Sequence, residues 1–243
     1  MTPYGNFASV YDELMADTDY DGWVNYITAI FAKFGKKPDL VLDLGCGTGA
    51  VTRRLAAKGF DMIGIDNSPD MLAIAKSKDQ NTLYLNQDIR AFELYGTVDA
   101  AVALCDVINY VLTVKSLEKV FNLTANYLNP GGLFIFDILT PYKYKKILGS
   151  QVFTRHTKDI SLIWDNRYYQ KQRLNEYRLT FFARQGKDFR RFFERHLQRA
   201  HDPNQLKSLL ISAGFKVFGP FDEKTFKTPA KNAQRVFFVA KKQ

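Results

Sequence analysis

The spacing of apolar residues changes along the chain. Up to residue 34 it has the period of a helix and predicts helices over 7–15 and 21–34. From Leu40 to Ile138 short apolar runs alternate with helical segments. Near-continuous apolar strands separated by helices are typical of a parallel sheet covered on both faces. The predicted strands are 40–45, 61–66, 82–88, 98–106 and 132–138, and the predicted helices run to residue 58 and over 69–78 and 116–128.

Two local signals mark element boundaries in this part of the chain. Ser68 is a credible N-cap, followed by Pro69 at the favoured first position of a helix. The segment Asn129-Pro130-Gly131-Gly132 predicts a turn before the strand at 132–138.

After Thr140-Pro141 the rhythm of strand and helix stops. Short alternating segments follow, such as SLIWDNRYY, NEYRLTFFAR and DFRRFFERHLQR, and none predicts a helix. The earlier pattern resumes with a helix over 202–213, a strand from Phe215 and a last strand over 235–240. We therefore expect one α/β domain formed by residues 1–139 and 200–243, with an N-terminal helical cap. Residues 140–199 are expected to form an inserted antiparallel sheet on the substrate side.

Composition and termini narrow the class of protein. Hydrophobic residues make up 46% of the 243 residues and charged residues 24%, which is ordinary globular composition. No uninterrupted apolar run of about 18 residues could span a membrane, and no signal-peptide pattern opens the chain. Two cysteines do not suggest a disulfide framework. We expect a cytoplasmic protein without a membrane partner.

The positive charge is concentrated in the inserted segment. The chain carries a net +9, of which residues 142–199 contribute +10 and residues 1–141 contribute −6. Such a block favours an anionic partner. It also contains 12 aromatic residues. Cations interleaved with aromatics could bind RNA, but half-buried strands with aromatics facing inward give the same pattern, and we favour that interpretation.

The motif VLDLGCGTG at residues 41–49 carries the sharpest chemical signal. A strand runs into three glycines, Gly45, Gly47 and Gly49, where the backbone can approach a ligand closely. Dinucleotide enzymes use GxGxxG, whereas this spacing is GxGxG. Asp43, two residues before the first glycine, is better suited to an ammonium-bearing ligand than to a pyrophosphate.

Two further acids end the next predicted strands. Asp66 follows the glycines by about 20 residues, where a carboxylate accepts hydrogen bonds from both ribose hydroxyls. Asp88 ends the third strand and can accept from an adenine amine, while Ile89 offers its backbone amide. Acids at the carboxyl ends of successive strands indicate a ligand at this edge of an open α/β sheet.

The chain resembles the class I S-adenosylmethionine (SAM) dependent methyltransferases. The resemblance runs through VLDLGCGTG (41–49), GIDNSPDML (64–72), NQDIR (86–90), VDAAVALCDVINYV (98–111) and LNPGGLFIFDI (128–138), in family order. It implies a Rossmann-like seven-stranded sheet and SAM as the cofactor. It places Gly45 and Gly47 beside the methionine part of SAM, Met71 against the adenine, Asp66 on the ribose, and Asp88 with Ile89 at the adenine edge. Cys46, Asn67 and Cys105 complete the set expected at the cofactor.

The opening FASVYD and YDGW segments, with the insertion, look like small bacterial members related to amino-sugar N-methyltransferases and glycine N-methyltransferase. In such relatives aromatic residues of the N-terminal helices close over the cofactor. The resemblance therefore nominates Tyr11 and Tyr20, although both could instead be packing residues of the cap.

The end of the fourth strand faces the acceptor in this fold, which nominates Asn109 and Tyr110 for the substrate pocket. The segment lacks the (Asn/Asp)-Pro-Pro-aromatic sequence expected of adenine or glutamine N-methyltransferases. Cys105 has no obvious activating neighbour, which disfavours a nucleophilic role. The three histidines, His156, His196 and His201, form no metal spacing with the cysteines and are interpreted as surface or packing residues. We expect no metal and name no catalytic residue.

The sequence thus predicts an enzyme that moves a methyl group from SAM to nitrogen or oxygen of a small or medium polar acceptor, which we expect to be anionic. An RNA or other macromolecular acceptor docked on the insertion is the first alternative and is not favoured. A SAM-binding module without turnover is the second. The insertion is expected to govern acceptor choice rather than cofactor binding. The oligomeric state stays open.

Overall fold

The computed structural model describes residues 5–35 and 37–243 and contains two sheets. The strands of the main sheet are β1 (Leu40–Leu44), β2 (Asp61–Asp66), β3 (Leu83–Asn86), β4 (Val98–Ala103), β5 (Leu128–Leu139), β10 (Phe215–Asp222) and β11 (Arg235–Lys242). Their order is β10-β11-β5-β4-β1-β2-β3. β11 pairs antiparallel with β5 and β10, and the other pairs are parallel. This confirms the expected Rossmann-like seven-stranded α/β fold.

Helices cover both faces of the main sheet. They are α1 (Gly5–Leu14), α2 (Tyr20–Phe34), α3 (Ala50–Ala57), α4 (Pro69–Lys78), α5 (Val114–Tyr127) and α6 (Pro203–Ser212). Apolar residues of α5 and α6 form one buried cluster with the sheet, and those of α2 and α3 form another on different strand residues. The Ser68 side chain accepts a hydrogen bond from the Met71 amide, which confirms the expected cap. No helix within the described part of the chain is long and apolar enough to cross a membrane.

Two local details differ from the sequence expectations. β5 begins at Leu128, before the expected turn, and Gly131 lies inside it with φ of 77° while the pairing with β4 shifts register. A single π-helical turn, Lys143–Leu148, follows β5 in a segment where no helix was predicted. The fully buried ring of Tyr144 anchors this turn, so tertiary packing outweighs the weak local pattern.

The insertion forms a separate antiparallel sheet, as expected. Its strands β6 (Val152–His156), β7 (Ile160–Tyr169), β8 (Leu174–Gln185) and β9 (Asp188–Arg199) pair in sequence order. Its aromatic residues do not all face inward. Phe189 and Phe193 are 48% and 60% exposed, beneath the guanidinium groups of Arg184 and Arg191. The domain boundaries at 139 and 200 stay a prediction.

Helix α1 packs between α4 and the inserted sheet. Its buried residues form one cluster with α4 and with the inner faces of three inserted strands, namely Ala8, Val10, Leu14, Met71, Ile160, Leu162, Phe181 and Phe192. Arg155 Nη2 lies 2.5 Å from the Asp17 carboxylate, and Thr157 donates a hydrogen bond to Glu13. The insertion therefore supports the N-terminal helix.

Candidate active site

A cavity of about 1200 Å³ opens at the carboxyl ends of β1, β2 and β4 and extends to the inserted sheet. It brings together ten of the fourteen residues that the sequence nominated. These ten are Tyr11, Gly45, Gly47, Asp66, Asn67, Met71, Asp88, Ile89, Cys105 and Tyr110. Single ligands occupy pockets of about 300 to 1,000 Å³, so this volume admits a cofactor together with a second small molecule.

The two glycines that line the cavity serve different purposes. A Cβ on Gly45 would lie 2.6 Å from a methyl of Val107, so this glycine permits close packing of the chain behind the turn. Gly47 has φ of 55°, and a Cβ there would meet nothing within 4 Å. Because Gly47 also lines the cavity, it leaves open a cradle that any side chain would begin to fill.

Asp66 ends β2 with its carboxylate beside this turn. One oxygen accepts from the Gly47 amide at 2.9 Å and the other from the Ser68 amide at 2.8 Å. Burial raises the pKa of Asp66 from its ordinary value. A carboxylate offers about four acceptor positions. The Asn67 amide also bonds to this carboxylate, so the acceptor capacity that remains suits a ribose hydroxyl.

Met71, Asp88 and Ile89, which the resemblance places at the adenine, line another part of the cavity. The Asp88 carboxylate accepts from the guanidinium and the amide of Arg90, and this partner lowers the pKa of Asp88. An adenine amine that binds to Asp88 would therefore share the carboxylate with Arg90.

Four nominated residues do not line the cavity. Tyr20 is buried, is hydrogen-bonded to Tyr11 and meets Trp23 edge to face, so it supports Tyr11 from behind. Asp43 is also buried and accepts from Thr52 at 2.6 Å, and burial raises its pKa to about 7. The thiol-bearing Cys46 packs with apolar residues of α4 and with Tyr84.

Asn109, the fourth of these residues, differs most from the expectation of a pocket residue. It is completely buried. Its amide oxygen accepts from Leu139 N at 2.9 Å, and its amide nitrogen donates to Leu139 O at 3.2 Å and to Arg199 O at 2.9 Å. Asn109 therefore links the end of β5 to the end of β9 through hydrogen bonds.

A polar wall of the cavity was missed by sequence reasoning. Its residues are Asp106, Tyr177, His196, Gln198 and Arg235. Arg235 donates to Asp106 at 3.0 Å and to the buried carboxylate of Asp137. Gln198 donates to Asp106 at 2.6 Å. His196 and Gln198 alternate along one strand and so share a face, which is the only sequence pattern that could have indicated these two residues. No sequence pattern indicated Arg235.

His196 is a packing residue, as one of the two interpretations had it, and it also lines the cavity. It is buried, and its ring lies edge to face with Tyr110 at 6.0 Å between centroids. Burial lowers the pKa of His196 to about 4, so the ring is neutral near pH 7.

Cys105 lies on the same wall, and its chemistry agrees with the sequence interpretation. Burial, together with the nearby Asp137 and Asp106 carboxylates, raises the pKa of the thiol. The thiolate is the nucleophilic form of cysteine. A nucleophilic role is therefore disfavoured.

Comparison with known proteins agrees with this geometry. Residues 41–132 match a family described as methyltransferase domain. A Bacillus subtilis (strain 168) protein named as a methyltransferase, YqeM, is 35% identical over 98% of this chain and 97% of its own. The crystal structure of an S-adenosylmethionine-dependent methyltransferase from Clostridium acetobutylicum ATCC 824 is 30% identical, covers 98% of both chains and has a TM-score of 0.89.

A sugar enzyme is also similar over part of the chain. The dTDP-4-amino-2,3,4,6-tetradeoxy-D-glucose N,N-dimethyltransferase of Saccharopolyspora spinosa is 33% identical over 40% of this chain and 39% of its own. The match to YqeM over nearly the whole of both chains, with the shared fold and the cavity at the glycine turn, identifies the family. The chain belongs to the class I SAM-dependent methyltransferases.

Proposed function

We propose that this enzyme methylates an amino nitrogen of a small polar acceptor that carries a negative charge. The observation that carries the proposal is the single cavity that joins the glycine turn to the polar wall. Its volume of about 1200 Å³ suits two small molecules in contact. The partial similarity to an amino-sugar N,N-dimethyltransferase supports a nitrogen acceptor.

The chemistry of the polar wall also favours nitrogen over oxygen. A neutral amine brings its own nucleophilic lone pair, whereas an alcohol needs a base to remove its proton. The pKa of His196 is lowered to about 4 by burial, which makes this ring a weak base. A wall with such a histidine suits an acceptor that needs no strong base.

Basic residues support an anionic group on the acceptor. Lys143, Arg155 and Arg195 line the cavity. Arg155 pairs with Asp17, and Arg195 pairs with Glu176 on the inserted sheet. Lys143 Nζ donates to the Gln234 side chain at 2.8 Å. Its hydrogen-bond partner is a neutral amide rather than a carboxylate, so an incoming anion could bind to the Lys143 ammonium.

The chain's own residues would hold the cofactor and order the acceptor. Gly47 gives the backbone access, Asp66 would accept from the ribose, and Tyr11 would cover the site from α1. When bound, SAM supplies a methyl group on a positively charged sulfur. The enclosing helix α1 and inserted sheet would exclude water and fix the approach of the acceptor, which accelerates transfer by proximity.

The proposal is tested by methyl transfer from tritiated SAM into a cell extract, followed by separation of small molecules, RNA and protein. We expect the label in the small-molecule fraction, on a species that an anion exchanger retains. Gly47→Val, whose side chain would enter the open cradle, is the matched control and should transfer no label.

Label in RNA would overturn the proposal. RNA binding has a second signature, since affinity falls with salt with a log–log slope of about −0.7 for each phosphate engaged. We expect no such steep dependence, because a small anion meets only one or two of the cations lining the cavity. A slope steeper than about −3 for bulk cellular RNA would contradict the proposed acceptor class.

A further inference from the structure

One wall of the cavity is built around Asp106, just beyond the end of β4. Cys105 and Asp106 both have positive φ, 63° and 55°. Residues with side chains rarely adopt this conformation, and such residues cluster at functional sites. The Asp106 amide donates to the buried carboxylate of Asp137 at 3.1 Å. This hydrogen bond stabilises the positive φ angles of the two residues, which side chains otherwise disfavour.

Each carboxylate oxygen of Asp106 accepts a hydrogen bond and has room to accept another. Oδ1 accepts from Arg235 Nη2 at 3.0 Å, and Oδ2 accepts from Gln198 Nε2 at 2.6 Å. A carboxylate has about four acceptor positions, so two stay available. The side chain is 18% exposed and lines the cavity. The free positions can therefore be reached by a ligand.

The orientation of Gln198 is fixed from its other end. Its amide oxygen accepts from the hydroxyls of Tyr144 at 2.8 Å and Tyr177 at 2.6 Å. Burial raises the pKa of both tyrosines, so each hydroxyl keeps its proton. The amide nitrogen is left to face Asp106. Two buried phenols thus aim one donor at the carboxylate and limit its rotation.

Three carboxylates surround the Arg235 guanidinium behind this wall. Arg235 contacts Asp106 and Asp137, and its Nε lies 4.0 Å from Glu223. Lys143 lies near Arg235 and Asp106 on the same cavity, and burial together with Arg235 lowers its pKa. Among the described residues two cations therefore face three carboxylates. In a partly desolvated cavity the Asp106 carboxylate therefore favours a cationic or proton-donating group of the ligand, while the anionic group of the same acceptor would bind toward Lys143.

We infer that the Asp106 carboxylate binds the amino group of the acceptor, with Arg235 and Gln198 as positioning residues. The inference rests on the proposed function. The amine loses its extra proton to water before it binds, and one N–H then donates to Asp106 while the lone pair stays free. The new N–C bond forms as the S–CH₃ bond breaks, and that electron pair goes to sulfur. Positive charge moves to nitrogen, where the carboxylate stabilises it.

The test compares Asp106→Asn with the unchanged enzyme, both as full chains. Asparagine keeps the size of the side chain and tolerates positive φ better than other residues with a Cβ, so the variant should fold. Two quantities are measured: the initial rate of tritium transfer from SAM into the small-molecule fraction, and the SAM dissociation constant by calorimetry. We expect the rate to fall about tenfold to a hundredfold, with SAM affinity changed less than threefold.

Asp165→Asn is the matched control, because Asp165 lies on the inserted sheet and pairs with Arg167 at 3.5 Å. Its rate should stay within twofold of the unchanged enzyme.

Gln198→Leu tests whether Gln198 positions the Asp106 carboxylate, without removing its charge. It should raise the half-saturating amount of the small-molecule fraction several-fold while lowering the maximal rate less. A merely structural loss would lower the maximal rate alone.

Three outcomes distinguish an error in the role of Asp106 from an error in the proposed function. If the unchanged enzyme labels small molecules and Asp106→Asn does so equally fast, the inference is wrong and the proposed function stands. If Asp106→Asn loses SAM binding in parallel with activity, Asp106 belongs to the cofactor site and the inference is again wrong. If the unchanged enzyme labels only RNA or protein, the proposed function itself falls.

Discussion

Replacing Gly47 by valine is expected to weaken SAM binding by at least about a hundredfold, the largest effect on affinity that we foresee for a single substitution. The open space at this position lies inside the cavity, so the branched side chain would occupy the ligand's volume. At about 1.4 kcal/mol for each tenfold change, this loss is roughly 3 kcal/mol of binding free energy. Calorimetry with purified protein measures it directly.

Gly59→Val is the matched control. Gly59 has φ of 85° and also has nothing within 4 Å of a Cβ, so valine there meets the same kind of backbone strain. Strain of this kind costs roughly 1 to 2 kcal/mol of folding free energy. Both variants should therefore lose similar stability, and only Gly47→Val should lose SAM. Equal SAM affinity in the two variants would remove Gly47 from the cofactor site.

Replacing Arg235 by methionine is expected to lower the free energy of unfolding by about 3 to 5 kcal/mol at pH 8, because it leaves buried carboxylates without their cation. Asp137 has no exposed surface, and burial raises its pKa to about 6 even beside Arg235. Removing the guanidinium raises that pKa further. Urea denaturation of both proteins measures the difference.

The pH dependence of this loss has a definite sign. A carboxyl group whose folded pKa exceeds its unfolded value of about 4 costs more stability as the pH rises through that window. The variant's deficit should therefore be smaller at pH 5 than at pH 8, by at least about 1 kcal/mol. Arg167→Met is the control, since its pair with Asp165 is exposed and is worth at most about 1 kcal/mol. A pH-independent deficit would contradict the role given to Asp137.

The residues proposed for the cofactor include some that local backbone requirements mark in the sequence, and the structure brings these together on one cavity. A glycine with positive φ in a turn, a cap of Ser68 before Pro69, and Asp66 at the end of a strand each leave a signal within a few residues. Parallel strands bring such ends to one edge of the sheet. The turn at Gly47 and the acid at Asp66 accordingly lie together on the cavity.

The polar wall depends on contacts between distant parts of the chain, and no local pattern encodes it. Asp106 lies 92 residues from Gln198 and 129 residues from Arg235 along the sequence. Arg235 reaches it because β11 pairs antiparallel with β5, which sets Arg235 beside Leu139. Asn109 was nominated for the substrate pocket because it follows the fourth strand. Its side-chain amide instead forms hydrogen bonds with backbone groups at the ends of two other strands.

Contacts between distant parts of the chain also change the expected roles of the α/β domain and the insertion. The SAM motifs lie within residues 41–138, which suggested that the insertion serves the acceptor alone. Packing of Leu14 and Met71 against Leu162 and Phe181 joins α1, α4 and the inserted sheet in one cluster. Removing the insertion would therefore also release the helix that carries Tyr11.

The most direct test of this account is a crystal structure of the full chain with S-adenosylhomocysteine. We expect the adenosine between Asp66, Met71 and Ile89, the amino-acid part along Gly45 and Gly47, and the sulfur facing the wall that contains Asp106. An adenosine bound elsewhere, or a sulfur directed away from Asp106, would contradict it.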